Sequence, residues 1–144
     1  MSSSCELCAN PGGVVLWQGA DYRIVRVVDA HYAGFYRVIW NAHVREMSDL
    51  AADRQWPLLR AVLAVEQAVR RHYAPDKINL ASFGNVVPHL HWHIIARWQD
   101  DRHFPEPVWG SVQRPAAPRR ADVSDAAMLA TLRELLPEME EEGA

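Results

Sequence analysis

The sequence predicts an α+β domain built on a mainly antiparallel sheet. Three observations carry this: short β-favouring runs separated by turn residues, one long segment with apolar residues at helical spacing, and a second, shorter amphipathic segment near the C-terminus. The 144 residues have the length of one domain, taken as 1–144, and suffice to bury a proper core. Hydrophobic residues make up 49% and charged residues 23%, which excludes a disordered or collagen-like chain.

The elements follow in order. An N-terminal element (1–13) holds Cys5-Glu6-Leu7-Cys8 and closes with Asn10-Pro11-Gly12-Gly13, which reads as a turn. Val14 to Gln18 and Tyr22 to Val28 are β-favouring runs separated by Gly19-Ala20-Asp21, a hairpin pattern. Asp29 to Gly34 turns again, and Phe35 to Trp40 supplies a third strand of β-branched and aromatic residues. Ser48 and Asp49 are N-cap types. After them Leu58, Leu59, Val62, Leu63, Val65 and Val69 recur at helical spacing up to about Tyr73. Pro57 predicts a short first turn followed by the main helix, because proline is tolerated only near a helix start. Ala74-Pro75-Asp76 ends that helix. Lys77 to Phe83 and Leu90 to Trp98 are two further strands, joined by Gly84-Asn85-Val86-Val87-Pro88. Residues 100–121 are proline-rich without a clear period and read as an ordered surface loop. Asp122 or Ser124 caps a final helix over 122–136 that carries Met128, Leu129, Leu132, Leu135 and Leu136. The acidic tail from Glu138 reads as frayed.

The net charge is −3 and the basic residues are scattered, so the chain lacks the footprint of a duplex nucleic acid or anionic membrane binder; one basic pocket could still hold a small phosphate. No apolar run reaches the roughly 18 to 20 residues that span a bilayer. The N-terminus lacks the basic and apolar regions of a signal peptide, which makes the cytoplasm the expected location. The two cysteines, Cys5 and Cys8, suit a metal or redox element better than a structural disulfide in a reducing compartment.

The chemically informative segment is His89-Leu90-His91-Trp92-His93-Ile94-Ile95. Strand alternation places His89, His91 and His93 on one face and Leu90, Trp92 and Ile94 on the other. The apolar set can be buried against helices, leaving a row of imidazoles. Histidine is a usable nucleophile and acid/base near neutral pH. A His-x-His strand with a third histidine equally suits a catalytic zinc site, and spacing alone does not separate nucleophile from ligand.

This segment resembles the histidine triad signature, three histidines alternating with apolar residues. The similarity extends upstream. Gly84-Asn85-Val86-Val87-Pro88 occupies the family's Gly-Gln-Ser/Thr-Val-x approach, and Asn79 lies where members often have an Asn. Val38-Ile39-Trp40-Asn41-Ala42-His43-Val44 with Met47-Ser48-Asp49-Leu50 is similar to its strand-to-helix connection, and Arg97 falls where many members have Pro-Arg. The proline-rich loop with Trp109-Gly110 resembles a bacterial branch labelled diadenosine-polyphosphate-hydrolase-like.

The resemblance implies a five-stranded antiparallel sheet packed with one long and one shorter helix. It also implies a nucleotide hydrolase or nucleotidyl transferase in which His91 attacks an α-phosphorus to give a nucleotidyl-histidine. His93 would contact the non-bridging oxygens, and His89 completes the catalytic triad. Asp29 would bind ribose hydroxyls, although a turn-forming Asp reads equally well. Asn79, Asn85, Val86 and Val87 complete the substrate-binding set. Two positions depart from the pattern. Phe35 stands after Gly34 where members usually have a fourth histidine, and Val86 replaces the usual Ser/Thr hydroxyl. The resemblance further implies a structural zinc on Cys5, Cys8, His43 and His89. A reduced, inert pair near the terminus and a dithiol redox pair are the other readings, and the redox pair would want a strand before it and a helix after it. A homodimer joined through sheet edges is implied, with residues near Trp109 reaching the partner's site. His31, His72 and His103 read as surface histidines, and Tyr32 and Trp109 could line a base pocket. The competing functions are a metal-dependent hydrolase built on His89, His91 and His93, and a nucleotide-binding module with little turnover.

Overall fold

A computed structural model describes residues 4–139. Five strands form one sheet: β1 (Val14–Gln18), β2 (Tyr22–Arg26), β3 (Phe35–Trp40), β4 (Lys77–Ala81) and β5 (His91–Arg97). Their order is β1-β2-β3-β5-β4, and every pairing is antiparallel. The helices are α1 (Glu6–Ala9), α2 (Ala52–Tyr73) and α3 (Asp125–Leu135). The chain leaves β3, runs through α2 to the outer strand β4, and returns as β5 between β4 and β3. The triad strand is thereby placed inside the sheet.

Period-two alternation decides what each face does. On one face Ile24, Tyr36, Val38, Ile94 and Ala96 are buried with Leu58, Val62, Val65 and Val69 of α2 and with Met128 and Leu132 of α3. Truncating Leu58 or Leu132, both 0% exposed, to alanine would cost about 2–5 kcal/mol. The opposite face carries two small apolar clusters. Cys5, Leu7, Val25 and Ile39 pack under the N-terminal segment, and Tyr32, Phe35 and Ile95 pack with Val108 of the proline-rich loop. Arg37 and His93 occupy the rung between these clusters, where they pair directly across β3 and β5.

Several local expectations are corrected. Strands read as Tyr22 to Val28, Lys77 to Phe83 and Leu90 to Trp98 are shorter at their ends. After β4, for example, the Ser82 hydroxyl rather than a backbone amide donates to the His91 carbonyl, at 2.6 Å. Ser48 and Asp49 do not start the long helix. They lie in a one-turn 3-10 helix (Met47–Asp49), where the Asp49 carboxylate accepts the Arg45 and Glu46 amides, and α2 begins at Ala52. Pro57 does not divide the helix either. The turns up to Pro57 are largely exposed, so the Asp53 carbonyl that proline's missing N–H leaves free is open to solvent. Ser124 is the cap of α3, its hydroxyl accepting the Ala127 amide at 3.1 Å. The acidic tail is anchored where it is described: Glu138 pairs with Arg60 at 2.8 Å and Met139 is buried, while 140–144 lie outside the described residues. No helix among the described residues is long and apolar enough to cross a membrane.

The proline-rich loop is organised around the Asp101 carboxylate, which is almost fully buried. It accepts from the Arg97 guanidinium at 2.8 and 3.1 Å, from the Tyr32 hydroxyl, and from the amides of Trp98, His103 and Phe104. These donors outweigh the burial penalty and hold its pKa down to about 2. The histidines read as surface groups are partly internal. His72 Nε2 bonds Thr131 Oγ1 at 2.7 Å, bridging α2 and α3, and His103 Nδ1 bonds the Tyr32 hydroxyl at 2.7 Å; His31 alone of the three is exposed.

Candidate active site and metal centre

The three triad histidines do not act as one row. His89 is fully buried and turns its Nδ1 toward the N-terminal cysteines, 3.3 Å from Cys5 Sγ, 3.5 Å from Cys8 Sγ and 3.3 Å from His43 Nδ1. His43 Nδ1 lies 3.4 Å from Cys8 Sγ. The Cys-x-x-Cys spacing works because Cys5 immediately precedes the single turn of α1, which places residues three apart on one side.

All four ligand atoms lie within 4.8 Å of one another, and among the described residues no other cluster of His, Cys, Asp or Glu could hold a metal. Tetrahedral zinc with bonds of about 2.0–2.3 Å needs ligand separations of about 3.3–3.8 Å, and the four separations above, from 3.3 to 3.5 Å, fall in that range, so the donor set suits that ion. The far side of His89 is also committed: its Nε2 donates to the Trp40 carbonyl at 2.6 Å, leaving Nδ1 free of a proton and able to ligate. Cys5, Cys8, His43 and His89 could thus form a structural zinc site. A pair of thiols facing two imidazoles is not the arrangement of a dithiol redox motif.

Two residues hold this segment down: Arg23, which carries no signal in the sequence, and Gly12 of the expected turn. The Arg23 guanidinium donates to the carbonyls of Pro11 (2.8 Å), Leu7 (2.7 Å) and Asn10 (3.2 Å), and to the Asn41 side chain. Gly12 takes φ +87°, and a Cβ there would come within 2.7 Å of Ile39 and 2.8 Å of Leu7. No motif flags an arginine on a β-strand as a clamp on a loop from another part of the chain.

His91 and His93 face a different space. Their rings lie 4.8 Å apart and line a cavity of about 560 Å³ with Arg37, Trp109 and the Phe83 to Val87 segment. His91 also opens onto a second hollow of about 360 Å³ beside Arg45 and Ser82. The His91 Nδ1 donates to the His89 carbonyl at 2.6 Å, which leaves the lone pair on Nε2. Burial pushes the pKa of His91 below the ordinary histidine value, and pushes that of His93 down to about 3 with help from the charges of His91 and Arg37. Both imidazoles are neutral near pH 7. Phe35, in place of the fourth histidine, packs edge-on against the His93 ring at 6.0 Å and offers no proton relay.

The remaining expected site residues divide. Asn85, Val86 and Val87 line the larger cavity, with Val86 pointing into solvent at 93% exposure. Asn79 shares the histidine face, but its side-chain oxygen accepts from Arg97 at 2.7 Å. Asp29 does not line either hollow at the histidines; its carboxylate accepts the His31 amide at 2.8 Å, the turn-forming role. Tyr32 is buried under the loop rather than in a base pocket. Trp109 covers His93 of its own chain at 4.9 Å and meets Phe83 edge-on at 5.3 Å.

Comparison with known proteins bears on the family and the fold. No curated protein sequence matches the chain. Among solved structures, a histidine triad protein from Bradyrhizobium japonicum is 29% identical, with 86% of this chain and 90% of that one covered and a TM-score of 0.68. A histidine triad protein from Marinobacter aquaeolei VT8 is 28% identical over 93% of this chain and 95% of that one, with a TM-score of 0.69. A Zn-bound histidine triad family protein from Mycobacterium smegmatis shares the fold at 18% identity and a TM-score of 0.54, over 98% and 99% of the two chains. The HIT domain itself matches residues 11–100, and with that match spanning the sheet, the triad and the connection between them, the chain belongs to the histidine triad family.

Proposed function

We propose that this chain is a nucleotide hydrolase or nucleotidyl transferase that uses His91 as its nucleophile. The observation that carries the reading is the hydrogen bond from His91 Nδ1 to the His89 carbonyl. It fixes the tautomer in a neutral imidazole that lines the cavity, so Nε2 holds an available electron pair. In the first step Nε2 forms a bond to the α-phosphorus of a dinucleoside polyphosphate or a nucleoside monophosphate conjugate. The bond from phosphorus to the leaving group breaks, and its electron pair departs with that group, which takes up a proton. In the second step water or another acceptor attacks the same phosphorus and gives up its proton to solvent, and the N–P electron pair returns to the imidazole. His93 lies beside His91 to contact the non-bridging oxygens, and the backbone amides of 85–87 border the same space. Asn85 and the Phe83–Trp109 pair would hold the phosphate and base ends of the substrate. Adenine nucleotides and a diadenosine polyphosphate are the first substrates to try. Zinc on Cys5, Cys8, His43 and His89 would be structural, fixing the His89 backbone whose carbonyl orients His91. The metal-hydrolase reading loses support because His89 turns away from His91 and His93.

Intact-protein mass after mixing with nucleotide substrates and quenching at alkaline pH tests this. A nucleotide-sized adduct is expected in the wild type, absent in His91→Ala, with zinc content equal in both. If substrate remains unconsumed at single turnover and no adduct forms, the protein is a binding module, and Phe35 marks where its relay was lost.

A further inference from the structure

We infer that Arg37 is the phosphate-oxygen anchor of the cavity, a role that rests on the nucleotide reading above and extends it to a residue outside the triad. Arg37 stands opposite His93 in the β3–β5 ladder, so the two side chains leave the same face on the same rung. Arg37 lines the cavity with His91, His93 and Trp109, and among the described residues no other arginine or lysine does.

Its hydrogen bonds are incomplete. Nη1 donates to the Gly12 carbonyl at 3.0 Å, while Nε is buried without a partner. Among the described residues no carboxylate is in ion-pair contact with it; Glu6 borders the same cavity and acts only at longer range. A half-buried guanidinium that borders the cavity, tied only through Nη1 and with no carboxylate in ion-pair contact, stands beside a nucleophilic imidazole as a receptor for an anion's oxygens.

The neighbouring groups make the same demand. A phosphate brings negative charge into the cavity, and more gathers on its oxygens as the nucleophile attacks. His93 is held neutral by burial and offers no fixed positive charge. Phe35, two residues earlier on the same face of β3, is apolar. Arg37 supplies what both lack, and its tether to Gly12 sets it before substrate arrives. An arginine on this strand carries no sequence signal of its own, because the pairing with His93 exists only in the folded sheet.

Binding of AMP and of adenosine by the full chain tests the inference, with the zinc content and circular dichroism of each variant checked first. The wild type should bind AMP more tightly than adenosine. Arg37→Met should weaken AMP at least tenfold while leaving adenosine within twofold, and Arg37→Lys should recover part of the loss. Equal losses for both ligands would make Arg37 a purely structural residue, and no loss for either would exclude it from the site. In the unaltered protein, the Arg37 Nε–H resonance should shift with AMP and not with adenosine; an unmoved resonance overturns the inference even if the methionine variant does not fold. A wild type that binds AMP no better than adenosine would instead sink the nucleotide reading itself, which separates the two failures.

Discussion

His93 shows how far one buried side chain can tie stability to pH. Its imidazole is 6% exposed, sits between His91, Phe35 and Trp109, and faces the Arg37 charge across the sheet. Burial first, then His91 and Arg37, lower its folded pKa to about 3, against about 6.5 in an unfolded chain. The unfolded state therefore binds the extra proton between those values. The stabilisation is fully present above about pH 6.5 and is lost progressively as pH falls toward about 3, each tenfold preference for the neutral form being worth about 1.4 kcal/mol. Urea denaturation of wild type and His93→Gln between pH 7.5 and 5 should show the steeper fall in the wild type; parallel curves would mean that His93 titrates normally. The triad itself was legible in the sequence because alternate histidines on a strand form a one-dimensional pattern. The four cluster ligands were reached through the family resemblance, since nothing in the spacing joins Cys8 to His43. Arg37 and Arg23 were not legible, because strand register and a clamp across the sheet are three-dimensional facts.

The N-terminal segment is the element on which the metal centre depends, and Arg23 is its fastening. Four of its hydrogen bonds go to Leu7, Asn10, Pro11 and Asn41, so the buried guanidinium fixes both the cysteine turn and the loop before His43. Arg23→Met should accelerate zinc loss to a chelator about tenfold or more, the usual scale for removing outer support from a metal ligand set, and a colorimetric chelator assay reads this directly. An unchanged rate would show that the thiolates hold the segment unaided. The proline-rich loop depends in the same way on Asp101. Asp101→Asn leaves the buried Arg97 charge uncompensated and should cost about 3–5 kcal/mol, visible as a lower Tm and as earlier proteolysis within 100–121. Element types were readable from periodicity, and β1 and β3 even to the residue. Other boundaries moved where a side chain replaced a backbone partner, as at Ser82, or where exposure removed the penalty expected of Pro57. The loop was expected to be ordered, but what orders it was not visible, because that is one carboxylate meeting donors from Tyr32 to Phe104.

At the scale of the whole molecule, the two edges of the sheet differ, and the difference says where a second copy would join. β1 carries a register irregularity between Val15 and Trp17, a feature that turns an edge away from further pairing. β4 pairs regularly with β5 along all five residues and has no strand on its other side. Leu80 on that strand is 37% exposed, and Trp56 and Leu63, seven apart on α2 and so on one side of it, are 59% and 44% exposed. A regular open strand with apolar groups left uncovered invites continuation of the sheet. Two β4 strands meeting about a twofold axis would run antiparallel, placing Leu80 near its own counterpart or one step from it. Leu80→Asp would then set two carboxylates close together across the new ladder, where like charges are destabilising. Sedimentation equilibrium should find the wild type dimeric and Leu80→Asp shifted toward monomer, with its circular dichroism unchanged. A wild type that sediments as a monomer would leave β4 as a true edge, kept from aggregating by its short length and by the Lys77 charge at its start.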